Sequence, residues 1–137
     1  MLDGIIRYSI ISLLLLVGSN YAAQTLTDRL NSRIEKMNNT NFQRIRVEFE
    51  DNVDCYYWNQ QFKQEQILNT KRPPLIINKL QRQSNESQLV LINNLKTQFS
   101  IGVKSIQQFW IVNILVLEAN PEAIHFISTF PGVALID

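Results

Sequence analysis

Cysteine is almost missing from this 137-residue chain, where Cys55 stands alone. One thiol excludes an internal disulfide framework and any thiolate cluster for zinc. Histidine is as scarce: a catalytic Cys would need a base, and His125 is the only imidazole the chain offers. No Ser, His and Asp arrangement, phosphate-binding Gly loop or metal-ligand spacing is found, so no catalytic, cofactor-binding or metal-binding residues are expected. Cys55 is read as a half-buried inert thiol and His125 as a helix-surface or core-edge residue. An excess of charge is lacking too. Thirteen basic against twelve acidic side chains leave +1, which gives no field to draw nucleic acid or an anionic membrane. Partner choice must rest on local shape. The apolar-to-small run over residues 8–18 falls short of the roughly 20 residues that cross a bilayer, so no permanent membrane anchor is expected.

What remains is ordinary globular material: 45% hydrophobic and 18% charged residues, enough apolar side chains for one core in one domain. The N-terminus has its own character. Arg7 precedes the apolar run with its five-residue centre Leu13-Leu14-Leu15-Leu16-Val17, and Ser19, Asn20, Tyr21, Ala22 and Ala23 follow. Residues 1–23 therefore read as a secretory signal peptide, cut after Ala22 or Ala23, and the mature chain as secreted or periplasmic. Asn38-Asn39-Thr40 and Asn85-Glu86-Ser87 match the glycosylation sequon, a tripeptide too common by chance to decide anything.

Periodicity organises the rest. Leu26, Leu30, Ile34 and Met37 recur at helical spacing, with Thr25 or Thr27 as N-cap, so residues 24–40 read as a short helix and linker. Residues 42–50 alternate, with Ile45, Val47 and Phe49 on one side and Arg44, Arg46, Glu48 and Glu50 on the other: a strand with one buried and one wet face. Asp54 caps a helix carrying Tyr57, Trp58 and Phe62, which ends before Pro73 and Pro74. A longer helix then runs through Leu80, Ser84, Leu91, Leu95 and Phe99. Residues 103–108 and 110–117 read as two strands of a hairpin. Asn120 caps a helix with Pro121 at its first position, Pro131 and Gly132 stop it, and residues 133–136 close the chain as a strand. The order β, α-rich connection, β, β, α, β predicts an α+β fold over residues 41–137: a ferredoxin-like split βαβ, an antiparallel four-stranded sheet with helices on one face.

The ordered run Phe109-Trp110-Ile111-Val112-Asn113-Ile114-Leu115-Val116, then Pro121-Glu122-Ala123-Ile124, then Phe130-Pro131-Gly132-Val133-Ala134-Leu135-Ile136-Asp137 resembles the C-terminal half of the prodomains of subtilisin-like serine peptidases. Residues 45–51 are similar to the opening strand of those prodomains, and residues 84–99 sit where they carry their long helix. The leading helix and residues 55–74 look like an elaboration. The resemblance implies a domain without catalytic groups that packs its sheet against a subtilisin-like peptidase domain, in cis or in trans. It would help that domain fold and pass a C-terminal tail through the cleft as a temporary inhibitor. The given sequence stops at Asp137 without such a tail, so it is expected either to be a fragment lacking the peptidase domain or to act alone as a secreted inhibitor or binding module.

A sheet in so small a domain cannot bury both faces, so the wet face is the expected partner surface. Arg44, Arg46 and Glu48 belong to it from the first strand. From the third, either Ile111, Asn113 and Leu115 or Val112, Ile114 and Val116 do; the first set is chosen because it takes polar Asn113 out of the core. Trp110 reads as a packing residue. Asn113 is left open between a side chain satisfied by a neighbouring turn and an interface contact. The wet face of the first strand carries no aromatic platform for stacking bases.

Overall fold

The computed structural model describes residues 25–137, so the expected signal peptide and its cleavage site lie outside the described residues. Chain order is α1 (Asp28–Ile34), β1 (Gln43–Phe49), α2 (Cys55–Gln64), a 3-10 turn over Asn69–Lys71, α3 (Arg72–Gln98), β2 (Val103–Phe109), β3 (Ile114–Ala119), α4 (Pro121–Ser128) and β4 (Val133–Ile136). The fold is α+β, with one four-stranded sheet in the order β2-β3-β1-β4. Every ladder in it is antiparallel.

Local chemistry explains where the helices begin. The Thr27 hydroxyl accepts the Leu30 N–H at the start of α1, the Asp54 carboxylate accepts the Tyr57 N–H at 2.8 Å for α2, and the Asn120 side-chain oxygen accepts the Ala123 N–H at 2.9 Å for α4. Each satisfies an amide that a first helical turn leaves without a partner. α3 starts without a side-chain cap, but Pro73 and Pro74 occupy its first turn, where the missing N–H is no loss. The prolines thus open the long helix instead of separating it from α2. Gly132, at φ 82°, makes the left-handed turn that leads into β4.

Alternation decides what β1 and β3 bury, and a register shift opposite Glu48 and Phe49 brings both ends of β4 to the same side. Ile45, Val47 and Phe49 of β1, Leu115, Leu117 and Ala119 of β3, and Val133 and Ile136 of β4 are all buried. They share one core with Leu91, Ile92 and Leu95 of α3 and Ala123, Ile124 and Ile127 of α4. At about 1.5–3 kcal/mol for each large apolar side chain taken from water, this layer is the main source of stability. Leu30 and Ile34 of α1 join the same core. Leu26 bridges Ile136 in parallel, and the Thr27 N–H donates to the Ile136 carbonyl at 3.1 Å, which covers part of the open edge of β4. Residues 25–37 are therefore tied to the domain by backbone and core alike.

α2 lies against α3 through Phe62, which is buried, and through Trp58, whose ring receives the Lys79 ammonium 3.2 Å from its centroid. Cys55, at the first position of α2, is exposed, not half-buried as expected; the helix turns its Phe62 face inward and leaves its N-terminus in water. His125 is exposed on α4.

The hairpin departs from expectation at its turn. Residues 110–113 are the turn itself, and β3 begins only at Ile114. Trp110, Ile111 and Val112 suit a strand by propensity, yet propensity is overruled when the surroundings hold the backbone elsewhere. Here the anchor is Asn113, in the left-handed region at φ 47°, a conformation Asn tolerates better than most residues.

Candidate protein-binding face of the sheet

The residues that alternate with the core positions line the opposite face, and the ladder registers place them in rows. Glu48 of β1 stands beside Ile114 of β3 and Leu135 of β4, and Ile114 stands beside Phe109 of β2. One row thus reads Phe109, Ile114, Glu48, Leu135. The next reads Gln107, Val116, Arg46, and the third Lys104, Glu118, Arg44. Paired residues of an antiparallel ladder project to the same side, so these side chains form one surface that is not covered by the helices packed into the core.

Its composition is mixed. Ile114, Val116 and Leu135 are half-buried and Phe109 is 46% exposed, while Ile111 and Val112 in the adjoining turn are 64% and 53% exposed. Charge surrounds them. The Arg46 guanidinium pairs with the Glu48 carboxylate at 3.0 Å on the same strand, and the Lys104 ammonium lies 3.7 Å above the Phe42 ring. On the uncovered side of the sheet an apolar patch of Phe109, Ile114 and Val116 on β2 and β3 thus lies beside the charged column Arg44, Arg46, Glu48 of β1, with Leu135 across that column. Exposed apolar surface edged by charge suits contact with a protein better than a cavity for a small molecule. Among the described residues no group of three His, Cys, Asp or Glu side chains could hold a metal ion, and no helix is long and apolar enough to cross a membrane.

Of the residues expected on this face, Arg44, Arg46 and Glu48 are on it, and Ile111 is exposed in the turn at its end. Leu115 and Asn113 are not. Leu115 is 0% exposed in the core and Asn113 is 4% exposed, so the choice between the two sets on β3 is corrected: Ile114, Val116 and Glu118 face outward. The choice rested on the polarity of Asn113. An amide can be buried when its hydrogen bonds are met, and this one's are. The Asn113 Nδ2 donates to the Asp51 carbonyl at 2.6 Å, and its Oδ1 accepts from Gln88 Nε2 at 3.0 Å and Ser87 Oγ at 3.1 Å. Gln88 Oε1 in turn accepts from Gln108 Nε2 at 3.3 Å. Asn113 is thus the side chain satisfied at a turn, and the network clamps the hairpin to α3 and to the loop after β1.

Sequence reasoning missed Lys104, Gln107, Phe109, Glu118 and Leu135 on this surface and set aside Ile114 and Val116. Glu118 carried the signal that would have found them. It shares strand parity with Ile114 and Val116, and an unpaired carboxylate is far more costly to bury than a hydrogen-bonded amide. Comparison of the chain with family models, with curated proteins and with solved structures finds no match.

Proposed function

We propose that this chain is the proregion of a secreted subtilisin-like serine peptidase, acting as a folding template and temporary inhibitor of the peptidase domain and contributing no catalytic group of its own. The observation that carries the reading is the uncovered sheet face, where Phe109, Ile114 and Val116 form an apolar patch beside Arg46 and Glu48, with Leu135 on the far side of that charged pair and Glu118 at the patch's end. A specific protein contact needs about 800 Å² from each partner, and a four-stranded sheet offers a broad, preformed surface of that kind. The strand order β2-β3-β1-β4, with α3 leading into β2 and α4 joining β3 to β4, supports a ferredoxin-like, split βαβ reading of the domain. A fold of that class hosts many functions, so the weight rests on the face and on the resemblance of residues 109–137 to subtilisin-like prodomains.

In this role the apolar patch packs against the surface of the peptidase domain and stabilises it along its folding path. Chain beyond β4 reaches the substrate cleft and pairs there as an added strand. Export follows from the leader at residues 1–23, with cleavage near Ala22 or Ala23.

Two measurements test this. Purified chain titrated into a subtilisin-like peptidase with a chromogenic peptide substrate should suppress turnover and speed recovery of activity from the denatured peptidase. Absence of both effects at about 100 μM, where even a weak contact is half-occupied, rejects the role. Reading the coding sequence past the Asp137 codon should show a peptidase domain with Asp, His and Ser catalytic residues; a stop codon there assigns the chain to a stand-alone module.

A further inference from the structure

Arginine is distributed unevenly among the ion pairs of this domain. Among the described residues Arg46 pairs with Glu48 and Arg82 with Glu86, while Arg29, Arg33 and Arg44 make no ion pair with a described carboxylate. These three line one pocket. Arg29 and Arg33 stand one turn apart on α1, Arg44 comes from β1, and Leu30, Gln43 and Asp137 complete a cavity of about 190 Å³. All three arginines are exposed. Like charges spaced i and i+4 on a helix repel each other, so Arg29 and Arg33 gain nothing from each other or from a third cation in the isolated domain. Arg44 has only its cross-strand neighbour Glu118 as a nearby opposite charge on the sheet. The one acid in the pocket, Asp137, accepts a hydrogen bond from the Thr27 hydroxyl at 3.1 Å.

Placement tells what such a pocket is for. Arg44 ends the row Lys104, Glu118, Arg44 on the uncovered sheet face, so the pocket continues that surface at its basic end. The opposite end, beyond Glu48, carries the acidic residues Glu50 and Asp51. Along β1 the face is therefore polarised, from Arg44 and Arg46 at the end where α1 meets the sheet to Glu48 and Glu50 at the other, with the apolar Ile114 and Val116 alongside on β3.

We propose that Arg29, Arg33 and Arg44 form a carboxylate-receiving site, which takes acidic side chains of a protein partner docked on the sheet and so fixes the partner's orientation. The identity of that partner rests on the function proposed above; the site itself does not. Guanidinium forks match carboxylates in two-point hydrogen bonds, and the neighbouring strip of Val116 and Ile114 asks for an occupant with apolar surface as well, which a free phosphate lacks. Charges of this kind chiefly steer encounter and set register.

The test uses the full chain with labelled arginine side chains. Titration with a blocked tri-glutamate peptide should move the Nε–Hε resonances of Arg29, Arg33 and Arg44 together, with saturation, while those of Arg72 and Arg82 stay put. A blocked tri-lysine peptide should leave all of them unmoved. The Arg29→Gln, Arg33→Gln, Arg44→Gln triple variant should bind the acidic peptide about tenfold or more weakly, the loss expected for one charge-assisted hydrogen bond; the single Arg44→Gln variant gives the same reading on an intact α1. Uniform shifts at every arginine, or none, overturn the site. Tighter saturation by inorganic phosphate than by the peptide overturns the assignment to carboxylates. If the peptide result holds while no subtilisin-like peptidase is inhibited, the site stands and the function proposed above falls.

Discussion

The Asn113 side chain donates a 2.6 Å hydrogen bond to the carbonyl of Asp51, 62 residues earlier in the chain. Through this bond the β2–β3 turn and the loop after β1 hold each other in place, and the same amide reaches Gln88 on α3. Three segments distant in sequence meet at one side chain whose backbone sits at φ 47°. Asn113→Ala should cost roughly 3 kcal/mol, combining an alanine forced into the left-handed region with buried groups left unpaired. Asn113→Gly should recover about 1 kcal/mol of that by relieving the backbone alone. Urea unfolding of the two variants checks the order; equal losses would mean that backbone conformation contributes nothing.

Leu115 and Val116 are neighbours in β3 that face opposite ways, so the pair reads out the register of the sheet. Leu115→Asp should unfold the domain by circular dichroism, since it buries a charge among fully covered side chains, and Leu115→Ala should cost about 2–5 kcal/mol. Val116→Ala should change stability by about 0.5 kcal/mol or less. Val116→Asp should leave the spectrum native while weakening inhibition of a subtilisin-like peptidase several-fold. A native Leu115→Asp variant would invert the register described above.

Ser84 on α3 is 1% exposed, and its hydroxyl has no hydrogen-bond partner among the described residues. A buried hydroxyl without a partner destabilises the fold, and alanine also favours helix. Ser84→Ala should therefore raise the unfolding free energy by about 1 kcal/mol. A loss of stability instead would show that the hydroxyl is satisfied by bound water.

Asn120 caps α4 through the Ala123 N–H and donates from its Nδ2 to the Asn39 carbonyl at 3.2 Å. It also lies against Gly102, where an added Cβ would come within 3.1 Å of the Asn120 side-chain oxygen. Asn120→Ala should cost about 1 kcal/mol through loss of the cap. Gly102→Ala should destabilise the wild type more than it destabilises Asn120→Ala, because removal of the side chain opens the space. Additive losses in the double variant would contradict this coupling.

Features set by short-range chemistry are legible in the sequence alone. Alternation in Ile45, Val47 and Phe49 marked β1 and its buried side, because a strand's period of two leaves little choice once one face is apolar. Asp54 and Asn120 announced helix starts and Pro131-Gly132 a helix end, since caps and breakers act within a turn of themselves. On that basis the α+β class and the order of elements followed, and so did the half of the candidate face contributed by Arg44, Arg46 and Glu48.

What the tertiary structure alone decided is the outward set on β3 and the place of Asn113. Apart from Asn113 the run from Trp110 to Val116 has strand propensity, and that one polar residue pointed the wrong way. Only contact with the Asp51 carbonyl and the Gln88 amide makes burial of Asn113 favourable, bends residues 110–113 into a turn and turns Leu115 inward with Leu117 and Ala119. The meeting of Arg29 and Arg33 with Arg44 is of the same kind. Each arginine is unremarkable within its own segment, and the pocket exists because α1 packs Leu30 and Ile34 into the common core. Partners of that sort are supplied by chain closure over long distances, and no local pattern of residues carries that information.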